Sequence, residues 1–575
     1  MESENRTHST NSVQACQNCR KEFTIEPEDF LYYEKIKVPP PTWCPECRLV
    51  RREASKNVWT VYWRDCDNCG KRTLTMYHKD NSVRVFCSGC WWSDNWDGTE
   101  YGMDYDPKRP FFEQLYELSR KTPWAAAEVL GPTMINSEYC NGATWLRNCY
   151  LTFWADYCEN VAHSSILFKL KDSSDCLRAR ESELCYESIG INKCYATYFS
   201  EECDACTNVW FSRNCYNCTN CIGCVNLRGA TNYIFNVKYS KEEYDKKVKE
   251  FGLESFNNLQ ALKEKAENFW LTKPYREYTG NSLNLNVTGE YVFESKNSRD
   301  LYLCTSVENS RYCQFVTVPT AKDCYDYSGW GANVDLIYET HSTGEKASNI
   351  KFSFSGYPDT YNTEYCMYSS SAKNCFGCVN LKRKSYCILN KQYSKEEYEK
   401  LKAIIIEDMK VNPYIDPQNR VWAYGEFFPH QMSLFAYNET DAMKFFPKTK
   451  EEALSEGFTW YDEEPTEHKS TLPVDALPEN ISTTLETITE HVLGCVECKR
   501  GYKIGILEYN LLKKMNMPVP HICPQCRSNS RFARLNPPRL WKRNCAKCEQ
   551  EINTAFSPDR PEIVYCVSCY QQEFA

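Results

Sequence analysis

The sequence predicts a mainly β chain. A duplicated, β-solenoid-like nonapeptide region with capping helices is flanked by two copies of a double zinc-binding module. Three observations carry this reading. Eight CxxC pairs stand four at each end with matching spacing, small uncharged residues recur every nine positions in the middle, and one stretch of the middle occurs twice. The 575 residues, 42% hydrophobic and 25% charged, supply several cores and exclude a wholly disordered chain. No apolar run approaches the ~18 residues of a membrane span, and the N-terminal stretch lacks the charged-then-apolar order of an export signal. The 35 cysteines therefore read as metal ligands and buried thiols in a reducing cytoplasm, not as disulfides.

Taken in order, residues 1–14 read as a disordered tail and 15–100 as the N-terminal module. That module holds the pairs Cys16/Cys19, Cys44/Cys47, Cys66/Cys69 and Cys87/Cys90. The C-terminal module, 491–575, holds Cys495/Cys498, Cys523/Cys526, Cys545/Cys548 and Cys566/Cys569, each displaced by 479 from its counterpart. Lys35, Pro45, Arg48, Arg52 and Arg64 follow the same offset onto Lys514, Pro524, Arg527, Arg531 and Arg543, so the ends are copies. A CxxC turn presents two thiolates on one side of a tight loop, and two such turns complete a tetrahedral Cys₄ site for Zn²⁺. Thiolates favour zinc over magnesium or calcium, and iron takes the same ligands in a rubredoxin-like site. Four cysteines leave no open position, which makes the expected zinc ions, about four per chain, structural. Each releases folding free energy of order 10 kcal/mol, enough for a module with a small core. Spacing alone allows sequential or cross-braced pairing.

The stretches CQNCRKEFTIEPEDFLYYEKIKVPPPTWCPECRLVRR and CVECKRGYKIGILEYNLLKKMNMPVPHICPQCRSNSR resemble a bacterial treble-clef zinc-ribbon family. Its pattern is CxxC, an aromatic residue, a Tyr-containing helix, a proline step and then CxxCR with basic residues. The resemblance implies a double treble-clef/zinc-ribbon module at each end. It also implies sequential ligation by Cys16, Cys19, Cys44 and Cys47, and by Cys495, Cys498, Cys523 and Cys526. In the second copy Tyr502 replaces Phe23, and the acidic cluster that follows is missing. As a whole the chain is similar to cysteine-rich proteins of uncultured bacteria, which implies no activity.

Between the modules, 101–133 reads as a helical connector and 134–239 as the first repeat block. Here Cys140, Cys149, Cys158, Cys176, Cys185, Cys194, Cys203 and Cys221 share one phase of a nine-residue period. The columns three residues before and after it, like this one, hold no charged residue, as a narrow stacked interior requires. Nine residues per arc and two arcs per coil is the expected geometry. Cys215, Cys218, Cys221 and Cys224 also approach ferredoxin ligand spacing, so an iron–sulfur redox carrier stands as a further reading. Residues 220–248 recur from 374 at an offset of 154, placing a second block at 283–393 with irregular spacing near 326–360. Ser240 with Glu243, and Ser394 with Glu397, have the order of helix capping boxes. They mark capping helices at 240–282 and, with an extension, at 394–450. Residues 451–490 carry 11 acidic side chains against the single Lys469 and read as a solvated linker.

No catalytic constellation is found: the eight histidines are scattered, with no HExxH and no phosphate loop. The positive signal is basic and aromatic residues beside the zinc knuckles. Arg48, Arg52, Arg64, Arg527, Arg531, Arg534 and Arg543 are candidate nucleic-acid contacts, since arginine neutralises phosphate and neighbouring Trp and Tyr stack on unpaired bases. The net charge of −9 confines such contact to the ends. The expected function is thus a non-enzymatic, cytoplasmic adaptor whose basic ends bind nucleic acid, RNA above DNA, with the solenoid as a rigid spacer. The alternative is a protein-interaction scaffold using an aromatic solenoid face that contains Phe153, Trp145, Trp154, Tyr198 and Phe199. No membrane contact is expected.

Overall fold

A computed structural model of the chain describes residues 10–281, 283–356, 358–462 and 469–574. It is rich in strands, with helices between them and cysteine tetrads at the ends. The chain divides into two compact units, each assembled from two separate stretches. Met1–Ala126 joins Tyr278–Tyr461, and Ala127–Glu277 joins Asp462–Ala575. Each terminal module therefore belongs with the block distant from it in sequence.

In the second-named unit, short strands pair in parallel with partners 12 residues further on. Tyr195 pairs with Thr207, Thr207 with Thr219 and Thr219 with Thr231. From Gly142 to Phe235 every third residue has a positive φ, so the chain turns a corner after each extended pair. Most of these corners are not glycine, and a left-handed residue costs on the order of 1 kcal/mol. The stack offsets this by satisfying its backbone. Corner residue Asp175 donates its N–H to Ala162 O, and Leu177, two places on, donates to Ser188 O. Asparagine corners add side-chain ladders, Asn136 to Asn148 to Asn160 to Asp172.

The expected nine-residue arc is corrected by this pairing. The structural unit is a 12-residue rung built of three-residue sides, and the three uncharged columns are its inward positions. The nine-residue recurrence of cysteine has a different origin. A residue nine positions on lies one rung ahead and one side back, and there its carbonyl accepts the thiol proton. Cys140 donates to Cys149 O, Cys194 to Cys203 O and Cys206 to Cys215 O, at 3.4–3.5 Å. Inward serines do the complementary work. Ser164 Oγ accepts from Cys176 N–H and Ser182 Oγ from Cys194 N–H, each 12 residues on. Cysteine and serine thus line this interior because both are small and can satisfy the adjacent rung.

The same construction occurs in the first-named unit with longer rungs. The offset is 14 at Val307–Ala321, 13 at Asp335–Ser348 and 12 at Tyr361–Lys373. The helices Lys241–Phe251 and Lys395–Val411 follow the last rungs of the two blocks. Each starts at the expected serine, whose Oγ accepts from Glu243 N–H or Glu397 N–H while the glutamate bonds back.

The flanks differ from expectation in two places. Of the expected tail 1–14, residues 1–9 lie outside the described residues, and Ser12–Ala15 already pairs antiparallel with Glu22–Ile25. The expected linker includes 463–468, which lie outside the described residues, but its remainder is not simply solvated. Leu477, Ile481 and Ile488 are buried in the core of the C-terminal module. Acidic residues dominate the composition, while three spaced apolar side chains decide the packing. Among the described residues no helix is long and apolar enough to cross a membrane.

Candidate metal centres and the arginine docking network

The 16 end cysteines gather as four tetrads in sequence order. They are Cys16, Cys19, Cys44 and Cys47; Cys66, Cys69, Cys87 and Cys90; Cys495, Cys498, Cys523 and Cys526; and Cys545, Cys548, Cys566 and Cys569. In every tetrad a short antiparallel hairpin carries the first pair and the N-terminus of a helix the second, as in Ser12–Ala15/Glu22–Ile25 and the helix Pro45–Glu53. The thiols of Cys19 and Cys44, Cys69 and Cys87, Cys498 and Cys523, and Cys548 and Cys566 lie 3.8 Å apart. Tetrahedral zinc with Zn–S of about 2.3 Å requires sulfurs ~3.8 Å apart, so the residues fit the ion.

Backbone N–H groups point at these sulfurs. Cys44 N–H donates to Cys16 Sγ at 3.2 Å, and Cys87, Cys523 and Cys566 do the same for Cys66, Cys495 and Cys545. Burial pushes the Cys66 thiol up, but the N–H groups of Cys87, Cys69 and Asn68 outweigh it and hold the thiol at about 7. The same balance holds Cys495 at about 7 and Cys545 at about 6. One sulfur per tetrad is thus prepared as a thiolate, which is the form that binds metal.

The candidate nucleic-acid arginines are placed otherwise than expected. Arg48 and Arg52 are 1% and 0% exposed, and Arg527 and Arg531 are 5% and 3% exposed. Their partners are carboxylates on the strand blocks. Arg48 and Arg52 converge on Asp326 at 3.0 and 3.1 Å, and Arg527 and Arg531 converge on Asp175 at 3.0 and 2.9 Å. Arg51, between the Trp43 and Trp422 rings, pairs with Glu339 and Glu426. Arg534 pairs with Glu201 and Glu267. Arg64 donates to Asn81 O and Val83 O, and Arg543 to Ser557 O and Glu562 O, so each closes the loop of its second knuckle. None of the seven presents a free guanidinium fork to a phosphate. The basicity of Arg48, Arg52, Arg527, Arg531 and Arg534 serves internal carboxylates, a role the sequence conceals because those partners lie about 270–350 positions away.

The network is duplicated along with the modules. Lys35 bonds Asp323 and Lys514 bonds Asp172. Asp29 pairs with Arg311 where Glu508, its counterpart 479 positions on, pairs with His163. The missed residues Asp172 and Asp175 match Asp323 and Asp326 at an offset of 151. That is three short of the duplication offset, because three successive rungs after Asp326, Tyr325–Tyr338, Tyr338–Lys351 and Lys351–Glu364, each carry one extra residue. Buried ion pairs contribute little net stability but heavily penalise any arrangement that leaves a charge unpaired. Here they fix the seat of each module on its block. Burial pushes Asp175 up, but Arg527 and Arg531 outweigh it and hold its carboxyl at about 2.

The aromatic face is only partly exposed. Phe153, Tyr198 and Phe199 are buried, the last stacked on Phe211 beneath the helix Phe256–Leu271, whose Trp270 donates to Phe211 O. Trp145 and Tyr157 remain 55% and 53% exposed, stacked within 2° of parallel. The inward cysteines, including Cys215, Cys218, Cys221 and Cys224, are all buried, and these four are not among the ligand groups that converge within 4.8 Å. Compared with known protein families and with curated proteins, the chain matches no family model and no individual relative.

Proposed function

We propose that the chain is a non-enzymatic scaffold in which four structural Zn²⁺ ions, held by treble-clef or zinc-ribbon modules, lock those modules onto two β-solenoid blocks. The solenoid face bearing Trp145 and Tyr157 binds a protein partner. The observation that carries this reading is the burial of Arg48, Arg52, Arg527 and Arg531 against Asp326 and Asp175. It turns the strongest basic signal inward and leaves the exposed aromatic pair as the more prominent surface. Closed Cys₄ sites supply fold and no reactive position.

A second reading, contact with single-stranded nucleic acid, keeps one specific support. Trp63 is 45% exposed with the Arg72 guanidinium 5.6 Å from its ring centre, a pairing able to stack on a base. The test uses the full-length protein with a photocrosslinker at position 157 and, as control, at exposed Tyr195. One defined protein captured only from position 157, and lost with Trp145→Ala, supports the scaffold. Absence of that product, together with salt-dependent binding of labelled single-stranded RNA that Arg72→Glu abolishes, replaces it with the nucleic-acid reading. A visible absorbance that survives zinc removal favours the iron–sulfur alternative over both.

A further inference from the structure

Among the described residues, one more set of metal-ligating side chains converges outside the cysteine tetrads. We propose that Glu53, His341 and Asp441 form a further metal site for a divalent first-row ion of the Zn²⁺ class, chemically unlike the tetrads. Glu53 ends the helix Pro45–Glu53, His341 lies on the strand Val334–Gly344, and Asp441 opens the helix Asp441–Phe445. All three belong to one unit, and each is 0% exposed. One oxygen of each carboxylate and one imidazole nitrogen lie within 4.8 Å of one another.

The surroundings argue for an ion. His341 Nε2 lies 3.1 Å from Glu53 Oε2, and Nδ1 lies 3.0 Å from Ser342 Oγ. With Nδ1–H donating to Ser342, the Nε2 lone pair faces the two carboxylates, the second-shell arrangement that orients a metal-bound imidazole. The other oxygen of Glu53, Oε1, is enclosed without a hydrogen-bond partner. Two carboxylates held together away from water repel unless a proton or cation lies between them. The arginines next to Glu53 are committed elsewhere, Arg51 to Glu339 and Glu426 and Arg52 to Asp326. Lys444 and Lys56 are the nearby competitors: burial holds the Lys444 ammonium down while Asp441 favours it, and Lys56, itself buried, accepts from Asp441 N–H at its carbonyl. One imidazole with two carboxylates suits zinc, manganese or ferrous iron rather than copper(I) or calcium. The site belongs to one unit only, because the 479-residue offset puts Phe532 where Glu53 stands.

The experiment is a metal inventory of the full-length protein grown with added Zn²⁺ and dialysed against metal-free buffer. All first-row metals are counted by mass spectrometry before and after a mercurial displaces thiolate-bound ions. The tetrads release their share with the thiols, and one equivalent per chain is expected to stay. His341→Gln and Glu53→Gln should each lose that equivalent and keep the thiol-dependent metal. If a variant fails to fold, the division in the unsubstituted protein decides alone. A protein whose metal leaves entirely with the thiols overturns the site and assigns the carboxylates' charge to Lys444 and its neighbours. A thiol-released count far from four would instead fault the tetrads and leave this site standing.

Discussion

Asp175→Asn is the sharpest single perturbation of the docking network. The substitution keeps shape and removes one charge from a carboxylate that receives two guanidiniums, both within 3.1 Å and all three side chains buried. Removing one partner of a buried ion pair costs about 3–5 kcal/mol, most of it from the charge left behind. Because 1.36 kcal/mol is one decade in an equilibrium constant, local opening of the C-terminal module should become roughly a hundred- to several-thousand-fold more frequent. The assay is amide hydrogen exchange on full-length, zinc-loaded protein, read over the helices Ile506–Met515 and Pro524–Ala533. The matching helix Pro45–Glu53 should be unaffected, whereas Asp326→Asn should accelerate that helix and spare the other two. Asp175→Leu combined with Arg527→Met and Arg531→Leu should recover only part of the protection, since Glu508 and Glu187 then lose their arginine partners and Glu508 keeps only His163. Unchanged exchange over 506–533 in Asp175→Asn would refute the claim that these pairs seat the module.

Other consequences are open to direct measurement. The Asp175 carboxyl is held at about 2 against an ordinary 3.8, a lowered value whose stabilisation is complete above the unfolded value and disappears as pH falls through the folded one. Exchange protection over 506–533 should therefore hold at pH 5–7 and be lost between about pH 4 and pH 2, earlier than in the strand blocks. A strong chelator should remove on the order of 10 kcal/mol of folding free energy from each tetrad. Circular dichroism should then lose helix signal while the parallel stacks keep their protection, and a chelated protein with intact protection at Cys495–Cys526 would contradict structural zinc. The 19 inward cysteines are all buried, with Cys149 pushed up to about 11 and Cys176 to about 12 mainly by burial. Alkylation of native, zinc-loaded protein at pH 8 should leave them unlabelled, and rapid labelling at any of them would show that the stack is open. Cys185→Ser should cost no more than ~2 kcal/mol, because Ser173, 12 residues earlier, already occupies the same inward column. Cys185→Asp, which buries a charge there, should prevent folding, as thermal melts would register.

What the sequence made legible follows from where the partner of each residue lies. Cysteine pairs three residues apart, repeated at a constant offset, announce their metal chemistry locally, and the tetrads assemble in sequence order. The absence of charge from three columns likewise marked the inward positions, since burying a charge in a narrow interior is prohibitive. The period was misread because two registers are superimposed. Thiols reach a carbonyl nine residues ahead while backbones pair 12 residues ahead, and cysteine, being conspicuous, reports the first. The arginines were misread for the opposite reason. A basic residue after a zinc knuckle looks the same in sequence whether it faces phosphate or Asp326, and only tertiary structure supplies the carboxylate 278 residues away from Arg48. A local cue was nevertheless present: Lys35, Arg48 and Arg52 recur at Lys514, Arg527 and Arg531, and Asp323 and Asp326 echo Asp172 and Asp175. Cations and anions duplicated in step, on segments that are remote in the chain, are what a docking interface requires. A phosphate-binding surface needs only the cations.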